Sequence, residues 1–220
     1  SELVPALQDR YGAEAVISTY HRKRPTTEDG LVEHLNSTDA KQLSELLDRH
    51  GIGAIYHLAA ILSATGESDP QMAWDVNMGS LYAVLEAARS RDCALFFPSS
   101  IGAFGPSTPL DKTPQDTLQR PNTIYGVSKV SGELLCDYYA HRFGLDARGL
   151  RYPGLISHVT PPGGGTTDYA VEIFYHALEN GHYTCFLAPD TRLDMMYMPD
   201  ATRAAIELMD ADPASLKHRN

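Results

Sequence analysis

The chain has 220 residues, 43% of them hydrophobic and 21% charged, with a formal net charge of -10. This composition predicts a globular protein with one sizeable core and no apolar run long enough to span a bilayer. The acidic balance argues against nucleic-acid binding, and three widely spaced cysteines predict a reducing compartment without a disulfide framework or a metal site. We therefore expect a cytoplasmic protein.

Strand-like and helix-like segments alternate along the chain, which predicts repeated βα units around a parallel sheet. Asp39 is a candidate cap for the first of these helices, and Gly144 is a natural stop for the third. In chain order, the predicted elements are strand 15–19, helix 40–50, strand 54–58, helix 75–91, strand 94–97, helix 125–143, strand 147–152, irregular backbone at 161–165, and helix 169–180.

Tyr125 and Lys129 are the most informative pair of residues. Because they lie four positions apart in a predicted helix, the phenol and the ammonium share one helix face. That arrangement is typical of a cation-assisted proton acceptor, but about 0.3 such pairs are expected by accident in a chain of this composition. The pair therefore needs support from its surroundings.

A pair of hydroxyls supplies that support. Ser99 and Ser100 follow the apolar strand 94–97, and Ser100 lies 25 residues before Tyr125. Chemistry gathers at the carboxyl ends of strands in open parallel sheets, so a strand-end serine beside a helix-borne tyrosine is a plausible catalytic constellation. The structural alternative is that the serines cap a turn and that Tyr125 is a partly buried aromatic.

Five ordered motifs then identify a family. The chain resembles the extended short-chain dehydrogenase/reductase superfamily, and within it the short-chain L-threonine 3-dehydrogenase family. The resemblance implies an α/β fold with a Rossmann-like doubly wound parallel sheet, in which 1–155 form the dinucleotide-binding domain and 156–220 form part of a small substrate-binding lobe that returns to the sheet. The motifs are HLAAILSATGE at 57–67, PSSIGAFGP at 98–106, YGVSK at 125–129, LRYPG at 150–154 and GGGTTDYA at 163–170.

The sequence departs from this family in two places. The family's first strand and glycine-rich phosphate loop would precede Glu2, and about a third of the family's length would follow Asn220, so the chain reads as the middle of an enzyme. Tyr20 stands where the family has an acidic residue for the adenosine ribose, and Arg22 close by could meet a phosphate there. NAD is the expected cofactor, and NADP stays an alternative.

The resemblance also implies roles for the catalytic residues. Tyr125 would accept the alcohol proton, although a phenol has a pKa of about 10, and lowering it by about 3 units requires about 4 kcal/mol. Lys129 and an oxidised nicotinamide ring are expected to supply that energy. Either Ser99 or Ser100 would hold the substrate hydroxyl against Tyr125, and the sequence leaves the choice open.

Cofactor and substrate contacts are likewise implied by the resemblance. The cofactor-binding set is Asp39, Leu58, Ala59, Ala60, Asn77, Ser99, Tyr125, Lys129, Tyr152, Pro153 and Leu155. The substrate-binding set is Ser63, Ser100, Tyr125, Thr166, Thr167 and Asp168, with Arg192 as a weaker candidate. The structural alternatives are a helix cap for Asp39, an ordinary strand end for 58–60, and a cap of the following helix for 166–168.

The resemblance implies NAD-dependent oxidation of the β-hydroxyl of L-threonine to 2-amino-3-oxobutanoate, and a location in the mitochondrial matrix if the source is an animal. Two alternatives stay open: a nucleotide-sugar epimerase or dehydratase of the same superfamily, and a noncatalytic dinucleotide-binding protein. Apolar stripes on 81–88 and on the helix after Tyr125, together with the resemblance, predict a homodimer.

Overall fold

Helices and parallel strands alternate through most of the computed structural model, which describes residues 2–25, 30–159, 161, 163, 165 and 167–219. The strands are β1 (Ile17–Tyr20), β2 (Leu31–His34), β3 (Ala54–Tyr56), β4 (Ala94–Ser100), β5 (Ala147–Tyr152), β6 (Gly154–Ile156) and β7 (Met195–Tyr197). The α-helices are α1 (Leu3–Tyr11), α2 (Ala40–His50), α3 (Ser63–Ser68), α4 (Pro70–Arg91), α5 (Ile124–Phe143), α6 (Tyr169–Asn180) and α7 (Met198–Asp210).

The described strands pair in parallel within each sheet. β1 pairs with β2, β3 with β4 and β4 with β5, and β6 with β7. In the central sheet, Ser99 lies opposite Arg151 and Ser100 opposite Tyr152, so the carboxyl ends of β4 and β5 coincide. The predicted α/β, Rossmann-like fold is confirmed.

Apolar residues of β4 alternate between two cores. Leu95 and Phe97 face a core built with α2, α4 and α5, whereas Phe96 faces a second core built with α1 and α7. Helices therefore cover both faces of the strand, which is the doubly wound arrangement. The completely or almost completely buried members of the first core include Leu43, Leu47, Leu81, Leu85, Leu95 and Cys136.

Local capping explains several helix ends. The Asp39 carboxylate accepts from the amides of Lys41 and Gln42, both at 3.0 Å, so its predicted role as the cap of α2 is confirmed. Thr123 Oγ1 accepts from the Gly126 amide at 3.0 Å and starts α5, and Gly144, with φ of 74°, ends it.

Some predicted boundaries were wrong. β4 continues through Ser100 instead of ending at residue 97, and β3 ends at Tyr56 instead of residue 58. The helix predicted at 75–91 begins at Pro70, because Asp69 caps its first turn and proline fits the first helical position. The sequence analysis also predicted none of β2, β6, β7, α1, α3 or α7.

Candidate active site

One face of α5 carries the central side chains. Lys129 is almost fully buried, and its Nζ donates to the carbonyl of Pro98 at 2.6 Å. The same nitrogen lies 4.9 Å from the ring centroid of Phe97 and 5.3 Å from that of Tyr125. The helical spacing therefore does place the ammonium and the phenol side by side, at the carboxyl end of β4.

Ser100 is the serine beside Tyr125. Both side chains lie against Gly102: a Cβ added there would be 3.4 Å from Ser100 Oγ and 3.3 Å from the Tyr125 ring. Ser100 Oγ also accepts from the Gly102 amide at 3.1 Å. A side chain at Gly102 would begin 3.3 Å from the Tyr125 ring, so the glycine lets the turn at Ile101–Ala103 approach the phenol. Burial raises the pKa of Tyr125, and the Ser100 hydroxyl lowers it by less.

Ser99 points elsewhere. Its side chain is buried and donates to Glu133 of α5, on the same side of the strand as Phe97. This geometry does not support the expected contact of the Ser99 hydroxyl with the substrate or the cofactor, because the hydroxyl is engaged within a buried polar cluster.

The charge state of Lys129 depends on its buried surroundings. Burial lowers its pKa to about 8, while the charges of Glu133 and then Cys136 raise it. His57 lies nearby, with its Nε2 3.2 Å from Ser80 Oγ, and burial followed by the charge of Lys129 lowers the His57 pKa to about 4. At neutral pH the site therefore contains one ammonium beside a neutral imidazole.

Asn77 connects the loop after β3 to α5. Its Oδ1 accepts from the Ile61 amide at 2.7 Å and its Nδ2 donates to the Ile61 carbonyl at 3.1 Å. Nδ2 also lies 3.3 Å from Ser128 Oγ, which donates to the Tyr125 carbonyl at 2.7 Å. Asn77 therefore fixes the position of this loop through hydrogen bonds to the loop backbone.

The same loop lines a small cavity. Ala59 and Ala60 present small side chains opposite Lys129, and Leu58 is exposed. The cavity has a volume of about 10 Å³ and is lined by His57, Ala59, Ala60, Asn77, Phe97, Ser128 and Lys129. The cavity itself has room for only about one water molecule. What fits the nicotinamide half of a dinucleotide is the surface that Ala59, Ala60 and the ammonium of Lys129 form, because such cofactors bind at the carboxyl ends of parallel strands.

Two of the residues expected near the adenine half of the cofactor contact other residues of the chain. The Asp39 carboxylate caps α2, and the Tyr20 ring lies edge-on to His34 with centroids 5.5 Å apart. Arg22 is exposed just beyond the end of β1.

The side chain of Tyr152 faces the second core. Its hydroxyl donates to the Ala201 carbonyl at 2.8 Å, and its ring lies 6.4 Å from that of Phe96. The backbone of Tyr152, in contrast, pairs with Ser100 at the carboxyl ends of β4 and β5. Half-buried Pro153 and Leu155 follow it along the chain.

The expected substrate residues occupy separate elements. Ser63 begins α3 and is half-buried, whereas Arg192 is exposed before β7. The Thr167 methyl group packs on Gly154, since a Cβ added there would lie 2.8 Å from it. Thr166 lies outside the described residues.

Asp168 closes the turn that precedes α6. Its Oδ2 accepts from the Gly165 amide at 2.8 Å, and α6 shows no capping hydrogen bond from the Asp168 side chain among the described residues. The side-chain cap considered as the alternative for Asp168 is therefore wrong.

Sequence reasoning missed Glu133 and Arg151 as members of the site. Glu133 is buried beside Lys129 and forms an ion pair with Arg151. A signal for Glu133 was present, because Tyr125, Lys129 and Glu133 follow one another at four-residue steps and so share one helix face.

No metal site or membrane span is found in the parts of the chain that the structure describes. No three His, Cys, Asp or Glu side chains there could hold a metal ion together. None of the described helices is both long and apolar enough to cross a membrane.

A sheet flanked by helices on both faces, with a tyrosine, a lysine and a serine meeting at a strand end, defines a class of nucleotide-dependent enzymes. Residues 1–219 match the NAD dependent epimerase/dehydratase family. The chain belongs to this family of extended short-chain dehydrogenases/reductases, and the resemblance inferred from the motifs is confirmed. Curated relatives from Staphylococcus aureus, named uncharacterized epimerase/dehydratase, are 52% identical over the whole chain, which covers 70% of their length.

Among solved structures, the chain is similar to several that are described as L-threonine dehydrogenases. L-threonine dehydrogenase from Clostridium difficile is 52% identical with a TM-score of 0.96, over 100% of this chain and 70% of that one. The GalE-like L-threonine dehydrogenase from Cupriavidus necator, in its holo form, is 52% identical with a TM-score of 0.95, over 99% of this chain and 71% of that one. A UDP-glucose 4-epimerase from Thermotoga maritima, at 21% identity and a TM-score of 0.82 over 95% and 69% of the two chains, shares the fold alone.

Proposed function

We propose that this protein oxidises the β-hydroxyl of L-threonine to 2-amino-3-oxobutanoate with transfer of the hydride to NAD. The observation that carries the proposal is the placement of Ser100 and Tyr125 on either side of Gly102, with the buried ammonium of Lys129 5.3 Å from the Tyr125 ring centroid. The similar solved structures that are described as L-threonine dehydrogenases support the choice of substrate.

The chain's own residues handle the proton. The substrate hydroxyl would bind between Ser100 and Tyr125, where Ser100 orients it and the Tyr125 oxygen accepts its proton. Burial keeps Tyr125 in the protonated form before substrate binds, so forming the phenolate requires positive charge close by. Lys129 supplies one such charge. NAD, when bound, supplies the hydride acceptor and a second positive charge.

Several other residues would hold the cofactor. Ala59 and Ala60 would face the nicotinamide half, Lys129 would bond its ribose, and Asn77 would keep the loop after β3 in place. Pro153 and Leu155 would approach the nicotinamide, and Asp39 the adenine. For the substrate we assign Ser63, Thr167 and Asp168 as contacts, together with Thr166.

A nucleotide-sugar epimerase or dehydratase is the second candidate, because the curated relatives carry that name and it would use the same Tyr125 and Lys129. One assay separates the candidates. The full-length protein is mixed with NAD or NADP and with L-threonine, L-serine or UDP-glucose, while reduced nicotinamide and sugar products are followed.

Our proposal requires reduction of NAD with L-threonine. Turnover with L-serine should be about 10- to 200-fold weaker, because its missing methyl group forfeits a pocket contact. Conversion of the sugar without oxidation of threonine would overturn the assignment, and no turnover of any substrate would favour a noncatalytic protein. Preference for NADP would leave the reaction standing and assign Arg22 to the ribose phosphate.

We also propose that two copies assemble through α4 and α5. Their outer faces expose large apolar side chains, among them Tyr82, Leu134 and Tyr138, which are each more than half exposed. One similar structure is described as a monomeric L-threonine 3-dehydrogenase, so the state needs measurement. Light scattering at micromolar concentration should give a dimer that Leu134→Glu dissociates; a monomer in the unmodified protein would refute the assembly.

A further inference from the structure

The carboxylate of Glu133 is the centre of a buried polar cluster. Only 3% of the residue is exposed, and its two oxygens accept from Nε and Nη2 of Arg151, both at 2.9 Å. It also accepts from Ser99 Oγ, and from Gln119 Nε2 at 2.9 Å. The guanidinium therefore binds the carboxylate through two parallel hydrogen bonds, the geometry that best fixes both partners in direction.

The cluster reaches the segment 104–121, which joins the turn after β4 to the start of α5. Arg151 Nη1 donates to the Gln115 carbonyl at 2.8 Å, and its guanidinium carbon lies 5.6 Å from the ring centroid of Phe104. Gln119 belongs to the same segment and bonds Glu133 directly. The segment is thus attached to the Glu133–Arg151 pair at three separate residues.

The far end of this segment rests against the catalytic residues. A Cβ added to Gly126, the residue after Tyr125, would lie 2.6 Å from Pro121 Cβ and 2.3 Å from the Gly102 carbonyl oxygen. A Cβ added to Gly105 would lie 1.9 Å from the Arg120 carbonyl oxygen. The backbone at these two glycines therefore packs so closely that no side chain would fit, and a displacement of the segment is passed to the turn at 101–103 and to the first turn of α5.

A buried ion pair is weak evidence for stability, because desolvation of the two charges offsets their attraction. Its directional bonding is the property that a hydrophobic pair could not replace. We propose that Glu133 and Arg151 are positioning residues that clamp segment 104–121 against α5, and thereby hold Tyr125 and Ser100 side by side. The inference rests on the proposed function only in taking Tyr125 as the base.

Hydrogen exchange of the full-length protein tests the clamp directly. Glu133→Gln keeps the shape of the side chain but removes its charge, and we expect amides in 104–121 to exchange at least about tenfold faster. The control is Asp48→Asn, because Asp48 and Arg91 form a comparable two-bond ion pair, at 2.7 and 2.8 Å, between α2 and α4. That variant should leave exchange in 104–121 unchanged.

Kinetics give an independent readout. In Glu133→Gln, kcat for L-threonine should fall about tenfold or more while the Kd for NAD, measured by fluorescence, stays within about twofold. A merely structural role would lower the measured rate and the amount of NAD bound to the same extent, through loss of folded protein. Loosening of 104–121 without any threonine activity in the unmodified protein would refute the proposed function and support the clamp.

If Glu133→Gln does not fold because Arg151 is left buried without its partner, the double variant Glu133→Gln/Arg151→Gln removes both charges. Glutamine at 151 is too short to keep the bond to the Gln115 carbonyl, so 104–121 should again exchange faster in a folded protein. Normal protection of 104–121 in the folded double variant would overturn the proposal.

Discussion

The two halves of α5 bury opposite kinds of side chain. The first half buries Ser128, Lys129 and Glu133, whereas the second half buries Cys136 and Tyr139 against the apolar core that includes Leu85. Burial of polar and charged groups opposes folding unless every group is paired, while burial of apolar groups drives it. The apolar packing of the second half therefore holds the helix in place, and the first half carries the buried polar side chains.

This contrast predicts that substitutions in the first half mainly change activity and that substitutions around the second half mainly change stability. Four experiments test the division, beginning with the largest expected effect, and a fifth separates the two roles considered for Asp39.

Tyr125→Phe should reduce turnover of L-threonine by about two to four orders of magnitude, because a positioned general base is lost. The melting temperature should stay close to that of the unmodified protein, since the ring is retained. Steady-state reduction of NAD measures the first quantity and thermal unfolding the second. A variant that keeps more than about a tenth of the rate would rule out proton transfer by Tyr125.

Leu85→Ala should lower the free energy of unfolding by about 2–5 kcal/mol, because Leu85 is completely buried in the core. The rate per folded molecule should not change. Urea unfolding gives the stability, and the folded fraction corrects the rate. A large loss of kcat in fully folded protein would contradict the proposed division between the two halves.

Lys129→Met tests how much the burial of a charged side chain in the first half of α5 costs in stability. The pKa of Lys129 is lowered to about 8, so between pH 8 and 10.5 the unfolded chain binds more protons than the folded protein, and stability rises with pH in this window. The variant should lack that rise, which amounts to at most about 3 kcal/mol. Unfolding by urea at pH 7, 9 and 10.5 checks the difference, and parallel curves for the two proteins would contradict it.

Ser100→Ala and Ser99→Ala form a matched pair. Ser100 lies beside Tyr125, and its loss should lower kcat by about 10- to 100-fold, as for a group that positions the substrate hydroxyl. Ser99 bonds Glu133, and its loss should change kcat less than about threefold while lowering stability by about 1 kcal/mol. If kcat falls more in Ser99→Ala, our assignment of the two serines is reversed.

Asp39→Ala should give the smallest change, because it removes the cap of α2 at a cost of about 1 kcal/mol. Asp39→Ser keeps a capping oxygen and should restore the stability. NAD affinity then separates the two roles of this residue. An affinity lowered in both variants indicates a contact with the adenine side, and an affinity unchanged in both leaves Asp39 as a cap alone.

Much of the fold was readable from the sequence. The limits of α2 and α6 coincide with the predicted ones, because Asp39 and the glycines at 51 and 181 mark helix ends with strong local signals. The limits of β5 coincide with the predicted ones as well. The start of α4 was missed although Asp69 followed by proline is such a signal. Short strands such as β6 and β7 carry too few residues for their periodicity to stand out.

The site was only partly readable, for a geometric reason. Placing the end of β4 at residue 97 removed the alternation that puts Ser99 on the Phe97 face and Ser100 at the strand end. The Glu133–Arg151 pair joins elements that are distant in sequence, so helical spacing could predict one partner but not the other. The pKa values of Lys129 and His57 depend on burial, which the sequence does not report.

Arg148 shows that the chain on either side of residue 155 cannot be separated. Its guanidinium donates to the carbonyls of Leu208, Met209 and Ala211 at the end of α7, and it forms an ion pair with Asp146 at 2.7 Å. A fragment ending at residue 155 would lose these acceptors and would expose the face of Phe96 that α7 covers. The 13 residues of α7 therefore complete the core around Phe96, although they lie beyond the expected domain boundary at residue 155. Proteolysis or truncation between the halves should unfold the first instead of releasing it.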